Sequence, residues 1–122
     1  MITGVHALIF TSDADAVRAF IRDVLGFPSV DAGGGWLIFS LLPAELGVHP
    51  SDDGDQDGHQ ELYLMCDDIE ATLTALRAKG AELARPVRDE SFGRVAWLKI
   101  PGGGELAMYE PRHRTAIEVA VR

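Results

Sequence analysis

The chain repeats itself. Residues 5–13 read VHALIFTSD and residues 60–68 read QELYLMCDD, two apolar runs of strand length that each close on a polar pair, at an offset of 55 residues. No other feature constrains the fold as much, because a repeated unit has to fold twice by the same rules. Ser12 stands three places before Asp15, and Asp67 three places before Glu70. Both copies therefore carry an N-cap oxygen followed by an acid in the first helical turn. Val17, Phe20, Ile21 and Val24 keep the i, i+3, i+4, i+7 spacing, Ile69, Leu73 and Leu76 keep it more loosely, and each run then meets a glycine, Gly26 or Gly80. The spacing predicts helices over 13–25 and 68–79.

Three short strand candidates follow each glycine, at about 27–32, 35–41 and 45–49, then at 83–87, 94–100 and 105–110. Each half reads βαβββ. The expected fold is α+β, one domain over 1–122 with modules at about 1–53 and 58–113, curving an eight-stranded sheet around a cleft. Between the modules lies PSDDGDQDG at 50–58, polar and acidic, the composition of a solvated linker. Its Asp53-x-Asp55-x-Asp57-Gly58 spacing imitates the start of a calcium loop, but the twelfth position is Leu64 and no helix pattern flanks it. The linker reading is kept.

Length and charge narrow the function classes. The 122 residues can bury a core without disulfides, and the single cysteine, Cys66, can form no internal bridge, which suits a reducing, cytoplasmic setting. No uncharged run approaches a membrane span and the first residues lack a signal-peptide pattern, so neither membrane nor secretion is expected. A net charge of −8 would repel phosphate backbones, so nucleic acid is not an expected partner. Cys66 shares strand parity with Leu62 and Leu64 and reads as a core thiol; the run Gly33-Gly34-Gly35 precedes a strand and reads as a turn.

Two βαβββ units in about 120 residues resemble the vicinal oxygen chelate superfamily, which includes glyoxalase I, bleomycin-resistance proteins and extradiol dioxygenases. The family's terminal segment typically runs D-P-D-G-N-x-I-E-L followed by an acidic residue and proline. Here IPGGGELAMYEP at 100–111, preceded by Gly93-Arg94, follows that frame. Family members that use a metal take its ligands from the first and last strands of each repeat. The resemblance places His6 and Glu61 at the first-strand positions, but Gly47 and Ala107 at the last-strand positions, where neither side chain can bind an ion. Glu110 lies an odd number of residues from Ala107 and points to the other face.

Strand parity brings His49, His59, Tyr63 and Tyr109 to the same face, and the His49 Cα sits about 7 Å along its strand from Gly47. His6, His49 and Glu61 then make a candidate two-histidine, one-carboxylate set for iron, zinc, manganese or nickel. A histidine on an apolar strand is more often a hydrogen-bonded pocket residue, and Glu61 is equally suited to pairing with His6 or a cationic guest. Two functions stay open. In one, a divalent ion chelates adjacent oxygens of a small substrate while Glu61 moves a proton, as in a glyoxalase- or dioxygenase-like enzyme. In the other, a metal-free, ligand- or drug-sequestering protein holds a planar or cationic molecule in a groove lined by Trp36, Tyr63, Trp97 and Tyr109, the two tryptophans reading first as packing or rim residues. A homodimer is expected in both, since short curved sheets leave apolar edges and faces for a second copy.

Overall fold

The computed structural model describes residues 1, 3–51, 54 and 57–117. Asp13 opens helix α1, Ala14–Phe20, by accepting the Ala16 N–H at 3.3 Å; the helix runs on as a π-helical turn, Ile21–Leu25, and ends on Gly26 at φ 75°. Asp68 opens helix α2, Ile69–Ala78, by accepting the Ala71 N–H at 3.1 Å. Both helices fall where the spacing puts them, but each cap is the second residue of its polar pair, one place after the expected Ser12 and Asp67. At the first site the Thr11 hydroxyl accepts the Asp13 N–H at 3.2 Å, and this small turn presents Asp13 to the helix.

After α1 the chain makes a hairpin, β1 (Ser29–Asp31) antiparallel to β2 (Leu37–Phe39). Gly33, Gly34 and Gly35 all have positive φ there, and the Asp31 carboxylate accepts the N–H groups of Gly33 and Gly35, so the glycine run is a turn. The rest is a four-stranded sheet of β3 (Tyr63–Met65), β4 (Leu83–Glu90), β5 (Gly93–Lys99) and β6 (Glu105–Pro111), in the order β3-β6-β5-β4. β3 runs parallel to β6, and the other neighbours are antiparallel. Residues 63–111 thus run βαβββ.

Residues 5–10 and 45–49 form no strand, so among the described residues six strands, in sheets of two and four, stand where eight are expected. A strand exists only by pairing. β3 has β6 beside it, whereas the corresponding first-half runs find no ladder among the described residues and leave Val5, Phe10, Leu46 and Val48 exposed. The expected module boundary near residue 53 and four of the nine linker residues, 52, 53, 55 and 56, fall outside the described residues.

One face of the four-stranded sheet makes the core. Ile69 and Leu73 of α2 pack on Ala96, Leu98 and Met108, with Leu64, Cys66, Leu83, Val87 and, from the first half, Phe20 and Val24 around them. Ile69, Leu73 and Leu98 are wholly buried, each contributing about 2 kcal/mol by area. Glu110 anchors α2 from this side by accepting the Ile69 N–H at 2.9 Å, as the parity argument requires. The Cys66 thiol lies against the same core, where burial pushes its pKa up, and it donates to the Tyr109 carbonyl at 3.7 Å. A raised pKa keeps it in the less reactive thiol form, in line with a packing role. Among the described residues no helix is long and apolar enough to cross a membrane.

Candidate binding face

The other face of the sheet is where the candidate residues meet. Register carries Tyr63 of β3 to Ala107 of β6, Ala107 to Trp97 of β5, and Trp97 to Arg85 of β4, so these four side chains form one row across the sheet. Ala107 supplies only a methyl group between two large rings. Tyr109, one step along β6 on the same face, meets Tyr63 edge to face with ring centroids 6.1 Å apart, and lies 6.1 Å from Phe92 and 5.7 Å from His113. Its hydroxyl donates to the Phe92 carbonyl at 3.0 Å. Gly93 is required here, since a Cβ at that position would fall 2.5 Å from the Glu110 carbonyl and 2.6 Å from the Tyr109 ring.

Glu61 stands at the entry to this row with both oxygens engaged. Tyr63 donates its phenol to Oε1 at 2.7 Å, and His59 Nε2 lies 3.2 Å from Oε2. The bond from Tyr63, then that with His59, holds the Glu61 carboxyl below its ordinary pKa, with a smaller contribution from the charge of His49. The Tyr63 phenol is pushed up by burial and by its bond to Glu61. At the far end of the row the Arg85 guanidinium lies 3.9 Å over the centre of Trp97 and pairs with Glu105 at 2.9 Å, while Arg88 lies 5.9 Å from the same ring. Trp97 is thus already stacked on one side.

The remaining candidates make contacts of their own. Trp36, at the start of the β2 arm, is exposed and carries Arg18 of α1 at 4.6 Å, which puts it beside α1. His49 sits with Nδ1 2.6 Å from the Pro50 carbonyl, and His6 is exposed. Among the described residues no three histidine, cysteine, aspartate or glutamate side chains are grouped so as to hold a metal ion, so His6, His49 and Glu61 are not brought together. The donor chemistry agrees. An ion at Glu61 would have to displace two hydrogen bonds, and Gly47 and Ala107 offer it nothing. These residues, as arranged, do not fit a resident metal.

Arg85, Phe92, Glu45 and His113 also belong to this face, and the sequence reading passes over them. For Arg85 a signal existed in the β4–β5 hairpin, whose pairing opposes it to Trp97. The face is open in this chain. The best-formed depressions among the described residues lie elsewhere and are shallow, one beside Phe20 and Ala81, the other beside Ala84 and Gly104, meeting at Lys99 and Ile100.

Comparison with known proteins places this geometry. Residues 4–104 match the family model of the Glyoxalase/Bleomycin resistance protein/Dioxygenase superfamily. No curated protein matches the chain. Among solved structures, an antibiotic binding protein from Streptomyces sp. CB03234 is 21% identical with a TM-score of 0.58, over 91% of this chain and 99% of its own. A lactoylglutathione lyase from Agrobacterium tumefaciens is 18% identical with a TM-score of 0.59, over 83% and 87%. A fosfomycin resistance protein from Listeria monocytogenes, solved with Mn(II) and a dihydroxypropylphosphonic acid, is 12% identical with a TM-score of 0.55, over 91% and 92%. At these identities the likeness is one of fold.

Proposed function

The chain belongs to the Glyoxalase/Bleomycin resistance protein/Dioxygenase superfamily, and from that premise we propose that it binds a planar, cationic small molecule on the face of Tyr63, Trp97 and Tyr109, without a resident metal ion. The observation that carries this reading is the state of Glu61. Its two oxygens accept from Tyr63 and pair with His59 in place of facing a vacant coordination site, and its lowered pKa keeps it anionic beside aromatic rings. A carboxylate next to ring faces attracts an organic cation twice, by charge and by the ring quadrupole. The net charge of −8 favours the same guests. The metal-dependent enzyme reading needs three protein donors on one ion, and among the described residues no such group is found around Glu61.

The same proposal includes a homodimer, whose second copy closes the open face, and a cytoplasmic setting, which suits a half-buried thiol without a disulfide partner. The test combines elemental analysis of the purified protein with a fluorescence titration using ethidium as a planar cationic probe. The expected result is no stoichiometric metal, ethidium binding unaffected by a chelator, and affinity reduced roughly tenfold or more by Tyr63→Ala. Stoichiometric zinc, iron, manganese or nickel that is lost in His49→Ala, or failure of ethidium to bind, overturns the reading.

A further inference from the structure

After β6 the chain turns back toward the first half. The Arg112 N–H donates to the Phe92 carbonyl at 2.9 Å, the His113 ring lies against Tyr109 with a tilt of 32°, and the Ala116 N–H donates to Glu45 Oε2 at 2.7 Å. Glu45 Oε1 is 3.9 Å from His113 Nε2. Glu45 stands in a stretch whose neighbours Leu42, Leu46 and Val48 are all exposed, yet its own side chain is 17% exposed, the least of the ion-paired carboxylates among the described residues. What covers it is the C-terminal segment. The contact spans 71 residues and ties the two halves together at the edge of the binding face. The carboxylate is also close enough to Tyr109 for its charge to raise the phenol pKa, after the larger effect of burial.

We propose that Glu45 is a positioning residue that clasps residues 112–117 as a strap across Tyr109, so that access to the Tyr109 end of the otherwise open binding face requires the strap to lift. The proposal rests on reading the Tyr63–Tyr109 surface as that face. The clasp is a backbone N–H held by a carboxylate oxygen, a charge-assisted bond that a carboxamide oxygen replaces with a neutral one and a methyl group cannot make at all. Glu45 lies on a surface stretch outside the core, so its replacement leaves the packing of α2 on the sheet intact.

The experiment is amide hydrogen exchange at Ala116 in the wild type, Glu45→Ala and Glu45→Gln, alongside the association rate of ethidium and the thermal midpoint of each protein. Exchange at Ala116 is expected to be slowed in the wild type and in Glu45→Gln, and to speed up about tenfold in Glu45→Ala. The ethidium association rate then rises in Glu45→Ala alone, with the thermal midpoint unmoved, which a purely structural role would not produce. An Ala116 amide that exchanges as in an unstructured peptide in the wild type, or as slowly in Glu45→Ala as in the wild type, overturns the clasp; an unchanged association rate overturns its role in access. Failure of ethidium to bind the wild type sinks the proposed binding face instead, and the exchange comparison still decides the clasp.

Discussion

At the scale of the residue, Glu61 decides between two chemistries. Its carboxylate is a stronger acid in the folded chain than in the unfolded one, first because Tyr63 donates to it and then because His59 pairs with it. A lowered folded pKa means that this interaction contributes stability above the ordinary carboxylate range and loses it as pH falls through the folded value. The side chain is 57% exposed, so solvent screening keeps the effect small in energy while leaving it visible in the titration. Tyr63→Phe is therefore expected to move the Glu61 midpoint up toward its ordinary value, followed by carboxyl NMR. An unmoved midpoint would show that Tyr63 is not the dominant partner. The cluster was legible because His59, Glu61 and Tyr63 keep the spacing of two that an extended chain turns to one side, although only Tyr63 lies within β3. Parity already put Tyr109 on the face of Tyr63, whereas the pairing that sets Ala107 between Tyr63 and Trp97 is a matter of register, and Glu45 reaches His113 across a loop closure that leaves no trace in local sequence.

At the scale of the element, α2 shows how far local rules go. Its limits, its buried face of Ile69 and Leu73 and its glycine stop all follow from spacing; only the choice of cap within Asp67-Asp68 needed coordinates. Asp68→Ala removes the acceptor of the Ala71 N–H and is expected to cost about 1 kcal/mol, a fall in thermal midpoint of about 4 °C, with Asp67→Ala close to wild type. Equal losses in the two variants would refute the assignment. The strands β4, β5 and β6 were equally legible, because hairpin neighbours supply one another's hydrogen bonds. The runs at 5–10 and 45–49 look as strand-like in sequence as the run that becomes β3. Strand propensity is a statement about fitting a pleated, half-buried surface, and within this chain no such surface receives them.

At the scale of the whole molecule, that missing surface has a size. The chain exposes 9178 Å², whereas a compact monomer of 13.2 kDa exposes about 6,400 Å². The excess, about 2,800 Å², is well above the roughly 800 Å² that each partner buries in a standard stable interface. The first half contributes exposed apolar side chains to it, since Val5, Phe10, Leu46 and Val48 are each about nine-tenths exposed. Apolar patches of that extent on a soluble chain mark a contact surface. A second copy is the partner that is always present at equal concentration, and it carries the same unpaired runs, so a two-fold arrangement satisfies both chains at once. Charge opposes association, since each copy carries −8, but this repulsion is screened within about 10 Å at moderate salt while apolar burial is not. The wild type is thus expected to sediment at twice 13.2 kDa in 0.1–0.2 M salt. Placing two charges in the exposed stretch, Leu46→Asp with Val48→Asp, should yield a monomer whose circular dichroism still shows both helices, because neither residue touches the core formed by α2 and the sheet. A wild type that sediments as a monomer at micromolar concentration, or a double variant that remains dimeric, would place the interface elsewhere or remove it.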